Sequence, residues 1–102
     1  MLTPFQKEVD ALLAEASFKK SYTDKHGICR MRNDMFVYVT EDYVDFMEFQ
    51  ETNPKVVRKF LILDADKIEL IKKLIPLTRD CKTFDEFTVK YNEIKDKNKV
   101  GV

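Results

Sequence analysis

Glycine and proline are scarce in this 102-residue chain, at two and three residues. Both punctuate loops, so their scarcity excludes long irregular connections and predicts a few short ones. Cysteine is also rare, with only Cys29 and Cys81. A disulfide framework needs more pairs at closer spacing, so two reduced thiols in an intracellular, cytoplasmic setting are the expectation. An excess of one charge is lacking too, because 18 Lys and Arg balance 18 Asp and Glu. The chain therefore carries no global field to draw a polyanion or a membrane surface. The N-terminus has neither a basic start nor an apolar core of signal-peptide length, and no apolar run reaches spanning length. No membrane contact is expected.

The signatures of catalysis are missing as well. Glycine-rich phosphate cradles and nucleophile elbows are absent. His26-x-x-Cys29, with Asp24 nearby, has no second ligand pair to complete a zinc site. The same two residues resemble a thiolate–imidazole pair, but nothing supplies an oxyanion hole. Asp64-x-Asp66 lacks the glycine and the terminal glutamate of a calcium loop, and reads as a helix N-terminus. Asp42, Asp45 and Glu48 lie on a turn and strand with alternating directions, so they do not converge as an acid–base set. The expectation is a protein that is not an enzyme, with no metal and no cofactor.

What is present is a small foldable domain. At 44% hydrophobic and 35% charged, the chain can bury one core and solvate its outside. Residues 1–102 are expected to form a single domain whose tail frays from about residue 96, where no apolar stripe continues. Thr3, Pro4 and Gln6 spell an N-cap, a first-turn proline and a capping box. Phe5, Val9, Leu12, Leu13 and Ala16 then recur at helical spacing. The pattern lapses after Phe18, and Thr23–Gly27 reads as a turn or loop.

From Ile28 the period changes to that of strands. Ile28–Arg32, Met35–Thr40 and Tyr43–Gln50 suit strands, with Asn33-Asp34 and Glu41-Asp42 as two-residue turns. A rival for Tyr43–Gln50 is a short helix capped by Thr40, which the acidic first turn would favour. Asn53-Pro54 marks another turn. Val56–Leu63 is the clearest strand, and its nearly continuous apolar end suggests burial on both faces. Asp64 then caps a helix with Ile68, Ile71, Leu74 and Ile75 inside, which Pro76 ends. Thr83 and Glu86 form a second capping box, opening a helix on Phe84, Phe87, Tyr91 and Ile94. The fold class predicted is α+β: an N-terminal helix, a three- to four-stranded antiparallel meander and two C-terminal helices.

Two-residue turns would fix the register. Arg32 would face Met35, Arg30 Val37, Ile28 Val39, Val39 Val44, Tyr38 Asp45 and Val37 Phe46. Period-two alternation then puts Ile28, Met35, Val37, Val39, Val44 and Phe46 on one face. Cys29, Met31, Phe36, Tyr38, Tyr43, Asp45, Met47 and Phe49 fall on the other. Three amphipathic helices can cover the aliphatic face alone or divide between the two. Aromatic stripes are more often a second core layer than a platform, so coverage of both faces is the plainer expectation. An open aromatic face would instead mark an interface.

Charge is unevenly placed. Glu41, Asp42, Asp45, Glu48 and Glu51 cluster between Arg30 and Arg32 on one side and Lys55, Arg58 and Lys59 on the other. Cross-strand pairing is the plain reading. The functional expectation is a small regulator or inhibitor, in composition suited to a viral or mobile-element accessory protein, that binds a protein partner or a second copy of itself. Its candidate surface is Phe36, Tyr38, Glu41, Asp42, Tyr43, Asp45 and Glu48. The alternative is a single-stranded nucleic-acid binder using Tyr38 for stacking and Arg30, Arg32, Arg58 and Lys59 for phosphates. Zero net charge and the acidic segment count against it.

Overall fold

The computed structural model describes the backbone of residues 2–32, 35–50 and 53–100, and their side chains outside 49–50, 53–58 and 96–100. Helix α1 (Pro4–Glu15) begins as its sequence dictates, with Thr3 as N-cap and Pro4 in the first turn. Gln6 Oε1 accepts the Thr3 backbone N–H at 2.9 Å, and Thr3 Oγ1 accepts that of Gln6 at 3.2 Å. The Gln6 amide nitrogen donates to the carbonyls of Val39 and His26 at 3.3 and 3.4 Å. One buried side chain thus caps the helix and ties it to the sheet.

The helix ends in a Schellman arrangement. Phe18 N–H reaches the Leu13 carbonyl at 2.9 Å and Ser17 N–H that of Ala14 at 3.1 Å, with Ser17 at φ 73°. That reversal feeds strand β1 (Lys19–Thr23), followed by β2 (Gly27–Arg32), β3 (Met35–Thr40), β4 (Tyr43–Gln50) and β5 (Asn53–Asp64). The sheet is an antiparallel meander in the order β1-β2-β3-β4-β5. Five strands replace the three or four predicted. The extra one, β1, is exposed at every residue and interrupted by a register shift at Ser21, so it shows neither alternation nor an apolar run. Segment 43–50 is a strand, and the helical rival is overturned. Strand β5 extends back to Asn53, absorbing the Asn53-Pro54 pair in an edge strand, where proline is tolerated.

After a 3₁₀ turn at Ala65–Lys67, helix α2 (Ile68–Leu77) carries Leu70, Ile71, Leu74 and Ile75 into the core. Pro76 lies inside its last turn, and a 3₁₀ turn at Thr78–Asp80 follows. Helix α3 runs Phe84–Val100, through the stretch expected to fray. Only half of its capping box forms. Thr83 Oγ1 accepts from Glu86 N–H, while the Glu86 carboxylate takes the Lys82 N–H.

The register between β2, β3 and β4 is the one the two-residue turns imply, with Arg32 opposite Met35, Val37 opposite Phe46 and Tyr38 opposite Asp45. The turn residues Asn33 and Asp34 themselves lie outside the described residues. A single core joins Val9 and Leu13 of α1, Ile71, Leu74 and Ile75 of α2, and Phe84 and Phe87 of α3 to the aliphatic face of the sheet. All three helices therefore pack on one face. Of the two arrangements open to the sequence, helices on one face or divided between both, the structure has the first: one aliphatic layer satisfies all three apolar stripes.

Candidate aromatic docking face

The uncovered face is built by alternation along β3, β4 and β5. Phe36, Tyr38 and Thr40 stand on β3; Tyr43, Asp45 and Met47 on β4; Phe60, Ile62 and Asp64 on β5. Register aligns Phe36, Met47 and Phe60 in one cross-strand row, Tyr38, Asp45 and Ile62 in the next, and Tyr43 with Asp64 in a third. The middle row continues to Cys29 and Tyr22, and the first to Met31 and Lys19. None of these residues belongs to the core cluster beneath the helices.

Strand β5 corrects the sequence reading. Leu63 is buried, but Phe60 is 65% exposed and Ile62 48% exposed, so the apolar run is not covered on both faces. Tyr22, on the opposite edge strand, is 50% exposed. Sequence reasoning missed Tyr22, Phe60 and Ile62 as surface candidates. The available signal was that Val56–Leu63 is apolar at both parities while being the last strand of a meander.

Two polar features organise the face. The Tyr38 hydroxyl donates to Asp24, 2.7 and 2.9 Å from its two oxygens, and Asp24 also accepts the N–H groups of His26 and Gly27 at 2.8 and 2.9 Å. The Tyr38 hydroxyl bond, with the turn N–H groups, holds the Asp24 carboxyl below its ordinary value. Burial and the same carboxylate raise the Tyr38 phenol. Tyr38 and Tyr22 stack with centroids 6.2 Å apart and planes at 29°. Cys29 lies buried in that row, and burial pushes its thiol up. Burial thus disfavours its thiolate form.

Asp45 is the second feature. Its Oδ1 is shielded from solvent and has no hydrogen-bond partner among the described residues. Desolvation alone raises its carboxyl to about 6. The tyrosine directly opposite cannot relieve it, because that hydroxyl is committed to Asp24.

The remaining sequence candidates divide. Glu41 and Asp42 are exposed in the β3–β4 turn. Glu48 falls on the helix side, in a small recess with Arg32, Cys81 and Lys82. Arg30 also faces the helices, bonded to Asp10 and to the Phe18 carbonyl at 2.9 Å. Arg32 donates to the Ala16 carbonyl at 2.6 Å and to that of Thr78, and its guanidinium lies 4.6 Å from the Phe18 ring centroid. These carbonyls close the ends of α1 and α2, so Arg32 stitches two helix C-termini together. Lys59, opposite Glu48 in register, pairs with Asp85 of α3. Three of the four cations considered for phosphate contact are thus on the opposite side from the aromatic face. The side chains of Phe49 and Arg58, and Glu51 entirely, lie outside the described residues. Among those described, no cluster of His, Cys, Asp or Glu could hold a metal ion.

Comparison of the chain with protein-family models, curated proteins and solved structures found no match.

Proposed function

We propose that this chain is a non-enzymatic protein-binding module whose working surface is the open face of β3, β4 and β5. One observation carries the reading: a contiguous row of Phe36, Met47 and Phe60 beside Tyr38 and Ile62 lies outside the helix-covered core. Contiguous apolar surface of this kind is the mark of a docking site, whereas scattered exposed side chains are not. Aromatic and methionine side chains also supply most of the energy at the centre of protein interfaces.

The occupant is a different protein with an apolar centre and a basic element. The nine positions of the three-strand face include two carboxylates, Asp45 and Asp64, and no cation. Glu41 and Asp42 add negative charge at the Tyr43 end. A second copy stacked face to face would bring like charges together in a desolvated interface. A single-stranded nucleic acid would meet the same carboxylates, with Arg30, Arg32 and Lys59 engaged behind the sheet.

Position-resolved photocrosslinking tests this. A benzophenone side chain is placed at Met47, Phe60 or Ile62, and at Lys7, Glu69 or Val89 on the helix side, in extracts of the source cells. A discrete protein adduct from the face positions only, abolished by Phe60→Asp introduced beside a probe at Met47, is expected. Equal adducts from helix-side positions would overturn the reading. Nuclease-sensitive adducts on the face would replace it with the nucleic-acid alternative.

A further inference from the structure

Asp45 poses a problem that the docking face alone does not solve. A carboxylate is placed at the centre of an apolar patch, with Phe36, Tyr38, Tyr43 and Phe60 on its neighbouring or diagonal positions. Cross-strand neighbours are about 5 Å apart and diagonal ones about 7–8 Å, so these rings stand on the sheet positions next to the carboxyl group. One of its oxygens is shielded and has no hydrogen-bond partner among the described residues. Its facing neighbours offer no compensation: Tyr38 is spent on Asp24, Met47 and Ile62 are apolar, and Asp64 has the same charge. In the free protein this arrangement only costs stability. Covering it with a wholly apolar partner would deepen the desolvation.

Resting on the docking reading above, we infer that Asp45 and the rings around it form a socket for one arginine side chain of the partner. The guanidinium supplies a countercharge that none of the described neighbours gives this desolvated carboxylate. It also stacks on aromatic faces and sheds water more readily than an ammonium group, which suits a carboxylate with rings on the neighbouring sheet positions. The apolar row of Phe36, Met47 and Phe60 then receives the residues flanking that arginine. Asp45 raised towards neutrality in the free protein is the expected state of a socket waiting for its cation.

Blocked tripeptides test the socket without knowledge of the partner. The isotopically labelled chain is titrated with acetyl-Leu-Arg-Leu-amide, and with the same peptide carrying citrulline or lysine, and backbone amide shifts are followed. The arginine peptide is expected to move amides within residues 43–47 and 60–63 and to bind at least about fivefold more tightly than the citrulline peptide. Asp45→Asn should erase that difference while leaving the chain folded. Equal binding of the arginine and citrulline peptides, an unchanged preference in Asp45→Asn, or no shifts on the face would overturn the inference. Lysine bound as well as arginine would overturn the choice of guanidinium. Equal binding of all three peptides on the face would sink the socket and leave the docking reading standing, whereas helix-side crosslinks would sink the docking reading itself.

Discussion

Asp45 and Ser17 are the residues whose environments disagree most with their chemistry. The Asp45 carboxyl titrates near 6 in the folded chain against an ordinary 3.8. The unfolded chain releases that proton first as pH rises, so ionisation favours unfolding. Stability present below about pH 4 is lost as pH rises through 6. Discounted for partial solvent access, the penalty at neutral pH is about 1 kcal/mol. Asp45→Asn should therefore raise stability by about that amount at pH 7.5 and by much less at pH 4, read from denaturant midpoints. Ser17 carries a side chain at φ 73°, where only glycine is unstrained. Ser17→Gly should stabilise by about 0.5–1 kcal/mol with the denaturant slope unchanged, since the Schellman bonds are already made.

At the scale of elements, sequence legibility followed the physics of each segment. The register of β2, β3 and β4 was readable because short turns and alternation leave one solution that buries Val37, Val39, Val44 and Phe46 together. Strand β1 was not, because every residue of Lys19–Thr23 is exposed and the segment carries neither alternation nor an apolar run. The apolar run of β5 does signal a strand, but its Phe60 and Ile62 are exposed where the run suggests burial on both faces. Apolar residues at both parities do not by themselves show that both faces are covered within the chain. Charge alone offers Arg30, Arg32 and Lys59 to phosphates, whereas strand parity places them beside Val37, Met35 and Leu61 on the helix side.

Two element-level joints carry α1 and the β2–β3 pair. Gln6 caps α1 and serves the Val39 and His26 carbonyls, so Gln6→Ala should cost about 2 kcal/mol in chemical denaturation. Beside it, a Cβ on Gly27 would stand 2.2 Å from the Val39 carbonyl oxygen. Backbone must move to admit it, so Gly27→Ala should destabilise by about 2–3 kcal/mol. Selective loss of amide protection at the Gly27–Thr40 end of the ladder would locate the damage there.

At the scale of the whole molecule, the arrangement is a sheet with one face packed against three helices and the other outside that core. The candidate surface was partly legible: Phe36, Tyr38, Tyr43 and Asp45 do share the open face, while Glu41 and Asp42 sit in the turn and Glu48 lies behind the sheet. Methionine methyls test this one-sidedness most directly, because Met31 and Met47 stand on the open face and Met35 faces the helices. With methyl-labelled methionine and a soluble gadolinium chelate, the Met31 and Met47 signals should relax several-fold faster than that of Met35. Equal protection of all three would mean that the aromatic face is covered within the molecule, and would contradict the account.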